Sequence, residues 1–376
     1  MKIGFAGRWS PLDKKSWSGT YYYSFRQLQH YGNVEIFHFP YPSGLKNYLI
    51  NFYKNPNRWF FNKNTAVEFL KPYATHYSKQ LQKALIKNKV DVLFVPAAPQ
   101  LIAYSDASLP IVFMTDATFQ QIQGYYDTWE NIAPSNIKQG IELDKKAFEK
   151  ATHCLLASEW CKQSVINDYG IDEAKITVAP FGANLDAIPD AAAIDFNRNN
   201  CNLLFLGVEW KRKGGEIALQ TFHQLKQKRI EATLHIIGCT PPVNTQEKGL
   251  NVIPFLDKNN AKDKERLHKL FLETDFLLLP TRAEAAGVVF CEASAYGIPS
   301  ISTQTGGVPT YVQDHVNGLL LPPEADGYLY ADEILKLYAN TQRMKALRQS
   351  SRKRFDEELN WDVWGRSFEN IIQQLH

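Results

Sequence analysis

Short apolar runs alternate with longer amphipathic segments along the whole chain. The runs are typical of buried strands and the segments of helices with one apolar face. In the first half, strands are predicted near Lys2–Ala6, Val34–Phe39, Val90–Pro96, Ile111–Thr115, His153–Ala157 and Ile176–Ala179. In the second half, they are predicted at Leu203–Leu206, Leu234–Ile237, Asn251–Ile253 and Asp275–Leu279. Helices are predicted at Thr20–His30, Ala66–Asn88, Asn136–Ala151, Glu159–Asp168, Gly215–Gln227, Asp263–Glu273 and Trp361–Leu375. This alternation indicates parallel sheets covered by helices on both faces.

The chain is long enough for two domains. Its 376 residues exceed the usual size of one compact core. The polar stretch Asp186–Asn202, rich in Asn and Asp, is the expected linker. We therefore expect an α/β protein with two Rossmann-like, doubly wound parallel-sheet domains facing each other across a cleft, over residues 1–188 and 189–360. Clefts of this kind are common ligand sites.

Composition narrows the class of partner and the cellular location. The formal net charge is +3, which implies no general attraction to nucleic acid. The start, Met1–Gly7, reads as a buried strand rather than a signal peptide, and no apolar run reaches the length of a membrane span. These features favour a cytoplasmic protein. The cysteines lack the spacing of a zinc site and are expected to be reduced core thiols, at Cys154, Cys161, Cys201, Cys239 and Cys291.

The segment Glu284–Glu292 carries the clearest candidate chemistry. Its two glutamates are separated by seven mostly small or apolar residues, and the segment follows the predicted strand Asp275–Leu279 and leads into a helix. The glutamates thus lie at the carboxyl end of a strand, where open α/β sheets bind ligands. Gly287 permits close backbone approach, and the first amides of the helix favour an anion. Fixed acceptors beside such a helix end suit a sugar joined to a nucleoside diphosphate.

The surrounding sequence resembles a known family. Pro280–Glu284, Gly297–Pro309 and Asn317–Pro322 are similar to the nucleotide-sugar domain of the large retaining glycosyltransferase family that includes sucrose synthase-like enzymes and bacterial mannosyl- and glucosyltransferases. This is glycosyltransferase family 4, of the glycosyl transferases group 1 type, and the likeness covers most of residues 200–325. It implies the GT-B fold, with an acceptor domain followed by a donor domain and a last helix, about 361–376, that packs back on the first domain.

The resemblance also implies an activity. It predicts transfer of a hexosyl unit from a nucleoside-diphosphate sugar to an acceptor hydroxyl, with retention of anomeric configuration, in glycan, polysaccharide or glycoconjugate synthesis. Glu292 is assigned to the ribose hydroxyls and Glu284 to the sugar hydroxyls. The phosphates would meet the backbone amides of Ala286, Gly287, Val288 and Val289.

The nucleobase falls, by the same resemblance, near Gly238 and Phe255 and is held largely through backbone groups. Core packing is an equal alternative for the Phe255 side chain. Backbone contacts of this kind do not reveal which base is bound, so UDP-, GDP- and ADP-sugars all stay open.

A basic loop follows the predicted strand Leu203–Leu206. It contains Lys211, Arg212 and Lys213 before two glycines, and such cations can clamp a diphosphate. A solvated basic loop is the alternative. The resembled family carries a Lys-Gly pair, matched here by Lys213 and Gly214, and an Arg soon after the strand, where this chain has Val208. Arg212 is expected to supply that second charge.

Negative charge builds on the departing diphosphate during glycosyl transfer and must be neutralised. The chain has no Asp-x-Asp pair of the kind that holds Mg²⁺ or Mn²⁺ in metal-dependent glycosyltransferases. We therefore expect protein cations and helix amides, rather than a metal or another cofactor, to stabilise the leaving group.

Two loops of the first domain carry further candidates. Gly7–Trp9 and Trp17–Thr20 flank a loop that resembles the family's glycine-containing loop, so Arg8 and Gly19 are predicted to face the donor; an ordinary strand–loop–helix connection is the alternative. After the strand Ile111–Thr115, many family members have a His that contacts the transferred sugar. This chain has Asp116, which could contact the sugar, polarise the acceptor hydroxyl or cap a helix.

The stretch Ile36–Val67 combines four cations with nine aromatic residues and no acidic residue. Three interpretations are open. It could contact the inner membrane face to reach a lipid-linked acceptor. It could form a lid whose rings stack on acceptor sugars. It could also be a long connection whose aromatics pack under the first domain, and this is slightly favoured.

Two other functions suit the same fold. A nucleotide-sugar epimerase or hydrolase would share the donor site, and a non-catalytic binding subunit would tolerate Val208 and the missing His. A nicotinamide oxidoreductase is disfavoured because no GxGxxG follows Lys2–Ala6.

Overall fold

The computed structural model describes residues 1–41, 62–242 and 245–375. The chain forms two compact units. The N-terminal unit comprises Met1–Ala179 and the C-terminal residues from Trp364 on, and the C-terminal unit comprises Pro180–Val363. The boundary predicted from the sequence, between residues 188 and 189, lies nine residues further along the chain than this division.

A six-stranded parallel sheet forms the centre of the N-terminal unit, in the order β2-β1-β3-β4-β5-β6. Its strands are β1 (Lys2–Gly7), β2 (Asn33–His38), β3 (Val92–Pro96), β4 (Ile111–Thr115), β5 (His153–Leu156) and β6 (Ile176–Val178). Strands β3, β4 and β5 are fully buried, as expected for a parallel sheet covered on both faces. All six predicted strands are confirmed.

The four helices predicted for this unit are present with similar bounds, and short additional helices and turns occur between them. They are α1 (Thr20–Leu28), α2 (Lys71–Lys87), α3 (Pro99–Ile102), α4 (Phe119–Ile122), α5 (Pro134–Lys150) and α6 (Glu159–Asn167). Short 3-10 turns lie at Ser16–Gly19, Val67–Phe69, Asp127–Trp129 and Glu173–Lys175. The core contains apolar side chains from the sheet and from α2, α5 and α6.

The C-terminal unit repeats the architecture with a second six-stranded parallel sheet. Its strands are β7 (Asn202–Leu206), β8 (Thr233–Ile237), β9 (Leu250–Ile253), β10 (Phe276–Leu279), β11 (Ser300–Thr303) and β12 (Gly318–Leu321). Its helices are α7 (Gly215–Gln227), α8 (Ala261–Glu273), α9 (Val288–Ala295), α10 (Val308–Tyr311), α11 (Gly327–Tyr338), α12 (Thr341–Glu357) and the start of α13 (Trp361–Gln374). A 3-10 turn lies at Ala191–Ala193.

Strand order in this sheet is β12-β11-β10-β7-β8-β9. After β7, the strands β8 and β9 are added on one side of it in the sheet, and β10, β11 and β12 are then added on its other side. The order therefore reverses between β7 and β10. In doubly wound sheets the crevice at this reversal, outside the carboxyl ends of the strands, is where ligands bind.

The boundary between the two units falls within the C-terminal helix α13, after Val363. From Trp364 on the helix belongs to the N-terminal unit, where the ring of Trp364 meets Phe94 of β3 edge-on at 5.8 Å. Phe368 contacts the same phenylalanine at 5.8 Å. Trp364 and Phe368 are buried, so the end of the chain completes the core around its beginning.

The predicted linker is packed rather than free. Arg198 forms an ion pair with the buried carboxylate of Asp275 at 3.3 Å, and Ile194 is buried. Upstream, the Trp361 indole N–H donates to the Asn184 side-chain oxygen at 3.0 Å. These contacts bind residues 180–202 to the C-terminal unit. The polar side chains that suggested a linker instead form hydrogen bonds and ion pairs with groups of that unit.

The basic aromatic stretch Ile36–Val67 falls largely outside the described residues. At its described ends, Phe37 and Val67 are buried in the N-terminal unit. In the described residues, none of the helices is both long and apolar enough to cross a membrane.

The five cysteines are free thiols. Four are buried and Cys239 is half-buried. Burial raises the pKa of Cys154 and of Cys201 to about 12, which keeps these thiols protonated and unreactive at neutral pH. The four buried cysteines are core residues, as predicted, whereas Cys239 lies just after β8 and is half-buried.

Candidate functional site

The loop after β7 is held against the loop after β10 by backbone contacts. Gly214 has φ +76°, and a Cβ there would overlap the carbonyl oxygen of Pro280. The Arg282 amide donates to the Arg212 carbonyl at 2.7 Å, and the Thr281 hydroxyl donates to the same carbonyl at 3.2 Å. The first glycine of the Lys-Gly-Gly sequence is therefore required by close packing and by backbone conformation. Together these contacts fix the residue beside it, Lys213, at the reversal point of the sheet.

Three predicted site residues meet at this point. The Lys213 ammonium binds the Glu284 carboxylate directly, and a guanidinium nitrogen of Arg212 lies 3.8 Å from the same carboxylate. Arg212 also donates to the Ala283 carbonyl at 2.7 Å and pairs with Glu209. Glu284 is only 7% exposed, so its charge depends on these cations. The structure thus brings the predicted sugar-binding and phosphate-binding residues into contact.

Helix α9 begins directly after this cluster. Gly287 is its N-cap and has no side chain that could cap the first-turn amides. Within the turn, the Val288 amide donates to the Ala286 carbonyl at 3.2 Å and the Phe290 amide donates to the Gly287 carbonyl at 2.9 Å. A Cβ at Gly287 would overlap the ring of Phe290. Ala286, Val288 and Val289 lie in the same turn, where the sequence analysis expected the phosphates. The aligned peptide dipoles favour an anion here.

Glu292, one turn into α9, is paired with a residue that the sequence analysis did not identify. Its side chain is almost fully buried, and the Lys258 ammonium lies 2.5 Å from it. Lys258 stands shortly after β9, five residues beyond Ile253. The one feature of the sequence that could have indicated Lys258 is its position as a cation after the carboxyl end of a strand.

The region predicted for the base contains Gly238 and Phe255. Gly238 has φ +98°, and a Cβ there would lie 2.9 Å from the Gly207 carbonyl oxygen, so the loops after β7 and β8 touch backbone to backbone. Phe255 is 61% exposed. The core-packing alternative for Phe255 is therefore wrong, and its ring is available at the surface of the C-terminal unit. Val208, at the position of the family's Arg, is exposed as well.

In the N-terminal unit, the loop before α1 has an unusual backbone. Trp17 and Ser18 have φ of +48° and +56°, and Gly19, the N-cap of α1, has φ +96°. Left-handed conformations at non-glycine residues cost free energy and persist where the surroundings impose them. Gly19 therefore lies in a strained loop, and its predicted contact with the donor stays a prediction.

Arg8 is placed differently from the prediction. Its guanidinium is 1% exposed and lies over the rings of Tyr77 and Tyr41, at 3.7 and 4.3 Å from their centroids. One nitrogen donates to the Tyr73 hydroxyl at 2.5 Å. The Arg8 guanidinium is thus buried within the N-terminal unit and stabilised by the faces of tyrosine rings. It is not exposed at the end of β1.

Asp116 follows β4 and is half-buried. The helix cap is Thr118, whose hydroxyl accepts from the Gln121 amide, so the N-cap alternative for Asp116 is wrong. Asp144 of α5 accepts from the Phe119 amide at 2.6 Å. Burial raises the pKa of Asp144 to about 7. These contacts hold the short segment that carries Asp116.

Across residues 1–41, 62–242 and 245–375, no group of three His, Cys, Asp or Glu side chains is placed to hold a metal ion. The C-terminal unit instead has two carboxylates paired with cations: Glu284 with Lys213 and Arg212, and Glu292 with Lys258.

Two parallel six-stranded sheets with flanking helices define the GT-B fold. Residues 190–354 match the family model Glycosyl transferases group 1. HepE from Anabaena, solved with UDP-glucose, superposes with a TM-score of 0.64 at 14% identity, covering 100% of both chains. The family match thus covers 165 of the 376 residues, all within the C-terminal unit, and the structural likeness shows the GT-B fold.

Curated relatives match part of the chain. An uncharacterized 41.2 kDa protein in the cps region of Klebsiella pneumoniae is 27% identical over 188 residues, which are 47% of this chain and 50% of that protein. A D-inositol 3-phosphate glycosyltransferase of Xylanimonas cellulosilytica is 26% identical over 253 residues, 61% of this chain and 60% of the relative. The chain therefore spans only half to three fifths of the length of these relatives.

Proposed function

We propose that the protein is a retaining glycosyltransferase that moves a hexosyl unit from a nucleoside-diphosphate sugar to an acceptor hydroxyl. The observation that carries this proposal is the pair of buried glutamates, Glu284 and Glu292, each bound to a lysine at the carboxyl edge of the second sheet. Carboxylates accept from sugar and ribose hydroxyls, while the lysines, Arg212 and the α9 amides suit a diphosphate.

In this mechanism the bond from the anomeric carbon to the diphosphate breaks, and its electron pair leaves with the phosphate oxygen. Lys213 and Arg212 neutralise that growing charge. The acceptor oxygen forms its bond on the same face, which retains the anomeric configuration, and its proton passes to the departing diphosphate. Glu284 orients the sugar hydroxyls during the transfer.

Relatives suggest the biological setting. Besides the cps-region protein, an O-antigen chain mannosyltransferase C of Escherichia coli is 26% identical over 246 residues. These names favour polysaccharide or glycoconjugate synthesis, with a glycan, a lipid-linked sugar or a small molecule as acceptor. A cytoplasmic location belongs to the same proposal.

The test begins with calorimetry of UDP, GDP and ADP and their common sugar conjugates, with and without EDTA. Binding of one nucleotide series that EDTA does not alter supports the donor site and its metal independence. Acceptors are then screened with that donor, and NMR of the product reports the anomeric configuration. Folded protein that binds none of these compounds would contradict the proposal, and activity that EDTA abolishes and Mn²⁺ restores would contradict the metal-free mechanism.

Exposed Val208 favours one alternative, a non-catalytic subunit on the same fold. Incubation of the donor without an acceptor also tests for an epimerase or a hydrolase. A new sugar epimer or the free sugar would indicate those activities, whereas binding with no product in any acceptor screen would indicate the subunit.

A further inference from the structure

The pair formed by Lys258 and Glu292 joins the loop after β9 to helix α9, and its two side chains differ in exposure. Glu292 projects from α9 with a side chain 3% exposed, whereas the Lys258 side chain is 37% exposed. Their charged atoms are 2.5 Å apart, and the Lys258 ammonium also lies 3.5 Å from the Asn184 carbonyl oxygen. The ammonium is therefore directed by two acceptors from different segments.

A carboxylate this deeply buried is costly unless a cation or several donors compensate it. Lys258 supplies that charge from the open side of the site. Because an ammonium carries three donors and the carboxylate two oxygens, the pair leaves acceptor capacity on Glu292. That capacity is what a pair of neighbouring ribose hydroxyls requires.

Whether a lysine of this site stays bound to its glutamate depends on the charge of the ligand group that meets the pair. A ribose is neutral, so its hydroxyls can share Glu292 with Lys258 but cannot replace the positive charge. A diphosphate is an anion and competes directly with Glu284 for Lys213. The two lysine–glutamate pairs of this site are thus expected to behave differently when a donor binds.

Taking the proposed function as its basis, we infer that Lys258 is a positioning residue for the nucleoside: it stays bound to Glu292 and holds that carboxylate oriented for the ribose hydroxyls. Phe255, three residues earlier in the same loop, is exposed. The loop after β9 would therefore contribute both an aromatic ring beside the base and the ammonium behind the ribose contact.

The experiment measures the affinity of whichever of UDP, GDP and ADP binds the wild type most tightly, alongside its 2′-deoxy and 3′-deoxy forms. A hydrogen bond to a charged group favours the ribonucleotide over at least one deoxy form by about tenfold or more. In the K258M and E292Q variants this ratio should fall to within about twofold of unity. The K258R variant keeps the charge and should retain most of the discrimination.

Lys264 provides the matched control, since it pairs with Asp186 at 2.9 Å in the same unit and has similar exposure. The K264M variant should keep the wild-type ratio. Loss of one partner of a buried pair destabilises a fold more than loss of both. If K258M fails to fold, the K258M/E292Q double variant, which has no uncompensated carboxylate, is measured instead and should match E292Q.

The outcomes separate the inference from the function on which it rests. Undiminished deoxy discrimination in K258M, with or without a lower melting temperature, would show that Lys258 only stabilises the fold and would overturn the inference. Loss of discrimination in K258M together with its recovery in K258R supports it. Failure of the wild type to bind any of the three nucleotides would instead remove the proposed function itself.

Discussion

Lys213 and Glu284 bind each other although they are assigned to different parts of one donor. For Lys213 to reach a diphosphate it must release Glu284, so part of its attraction for the ligand is offset by the lost ion pair. The attraction between Lys213 and the diphosphate becomes strongest in the transition state, when the leaving group is most negative. An interaction that strengthens in the transition state raises turnover more than it raises affinity.

Replacing Lys213 by Ala should therefore lower kcat by about 10²-fold to 10³-fold, the loss typical of one charge-stabilising donor, while donor affinity changes by less than about tenfold. Steady-state kinetics and calorimetry measure the two effects. The exposed neighbour Lys211 provides the control, and K211A should change neither quantity by more than about twofold. Wild-type turnover in K213A would remove Lys213 from the site.

Replacing Glu284 by Gln should tighten the binding of a nucleoside diphosphate that lacks a sugar, by about threefold to tenfold, because the Lys213 charge is no longer neutralised. The extra affinity contributed by the sugar should be lost in the same variant. Calorimetry with the nucleotide and its sugar conjugate measures both.

Glu247 is a matched carboxylate, since it pairs with Lys226 at 2.7 Å near the far end of α7. The E247Q variant should leave both affinities unchanged. Weaker binding of the bare nucleotide by E284Q would contradict competition between the carboxylate and the diphosphate.

At the scale of elements, glycines at the strand ends decide how closely loops approach. Gly214 and Gly170 both have positive φ, of +76° and +70°. A Cβ at Gly214 would overlap Pro280, whereas a Cβ at Gly170 would have no atom within 4 Å. The two positions therefore separate backbone strain from loop packing.

The G214A variant should bind the donor nucleotide at least about tenfold more weakly, because the loop that holds Lys213 must move away from Pro280. The G170A variant has only the cost of a left-handed alanine, about 1–2 kcal/mol of stability, and should bind normally. Calorimetry and thermal unfolding of both variants measure these effects. Equal affinity in the two variants would contradict a role of the Gly214 contact in the site.

Asp144 links α5 to the start of α4 and titrates near neutrality. Its pKa is about 7 in the folded protein and 3.8 in its ordinary state, because burial disfavours the charged form. The folded protein therefore binds this proton more tightly than the unfolded chain does. The stability contributed by the protonated form is complete below pH 4 and is lost as the pH rises through 7.

The D144N variant keeps an acceptor for the Phe119 amide but cannot ionise. Relative to wild type, its free energy of unfolding should rise between pH 4 and pH 7 and then stay constant, by a total on the order of 2–4 kcal/mol. Urea unfolding at several pH values, followed by hydrogen exchange at α4, measures this. A difference between the proteins that does not vary with pH would contradict the assignment.

At the scale of the whole molecule, the end of the chain stabilises the unit formed by its beginning. Trp364 is 1% exposed and packs on Phe94 of the central strand β3. Truncating a buried tryptophan costs about 3–5 kcal/mol. The W364A variant should therefore increase amide exchange in β1, β3 and β4, while β7 and β10 of the C-terminal unit stay protected.

Hydrogen exchange with mass spectrometry resolves the two units. The control is Tyr328, a large side chain that is 54% exposed, whose replacement by Ala should leave exchange unchanged in both sheets. Equal loss of protection in both sheets would show that the two units unfold as one.

Most of the fold could be predicted from the sequence alone. Buried parallel strands such as β3, β4 and β10 are continuous apolar runs, and amphipathic helices such as α5 and α7 show their period directly, so local patterns determined both. Strands β11 and β12 were not predicted. Ser300–Thr303 contains three hydroxyl side chains that are buried in the sheet. Two of them are satisfied by tertiary hydrogen bonds, Ser302 to the Leu279 carbonyl at 2.7 Å and Thr303 with the Tyr330 hydroxyl at 2.8 Å.

The site divides in the same way. Lys213, Glu284 and Glu292 were predicted from their position after a strand, where the carboxyl ends of parallel strands meet at one edge, together with the family resemblance of the surrounding sequence. Their roles stay predictions. The partners of those residues were decided by tertiary structure alone. Lys258 reaches Glu292 across 34 positions of the chain, and Arg8 is enclosed by tyrosines far along the sequence. Which charge meets which depends on how loops from different strands pack, and no local pattern encodes that.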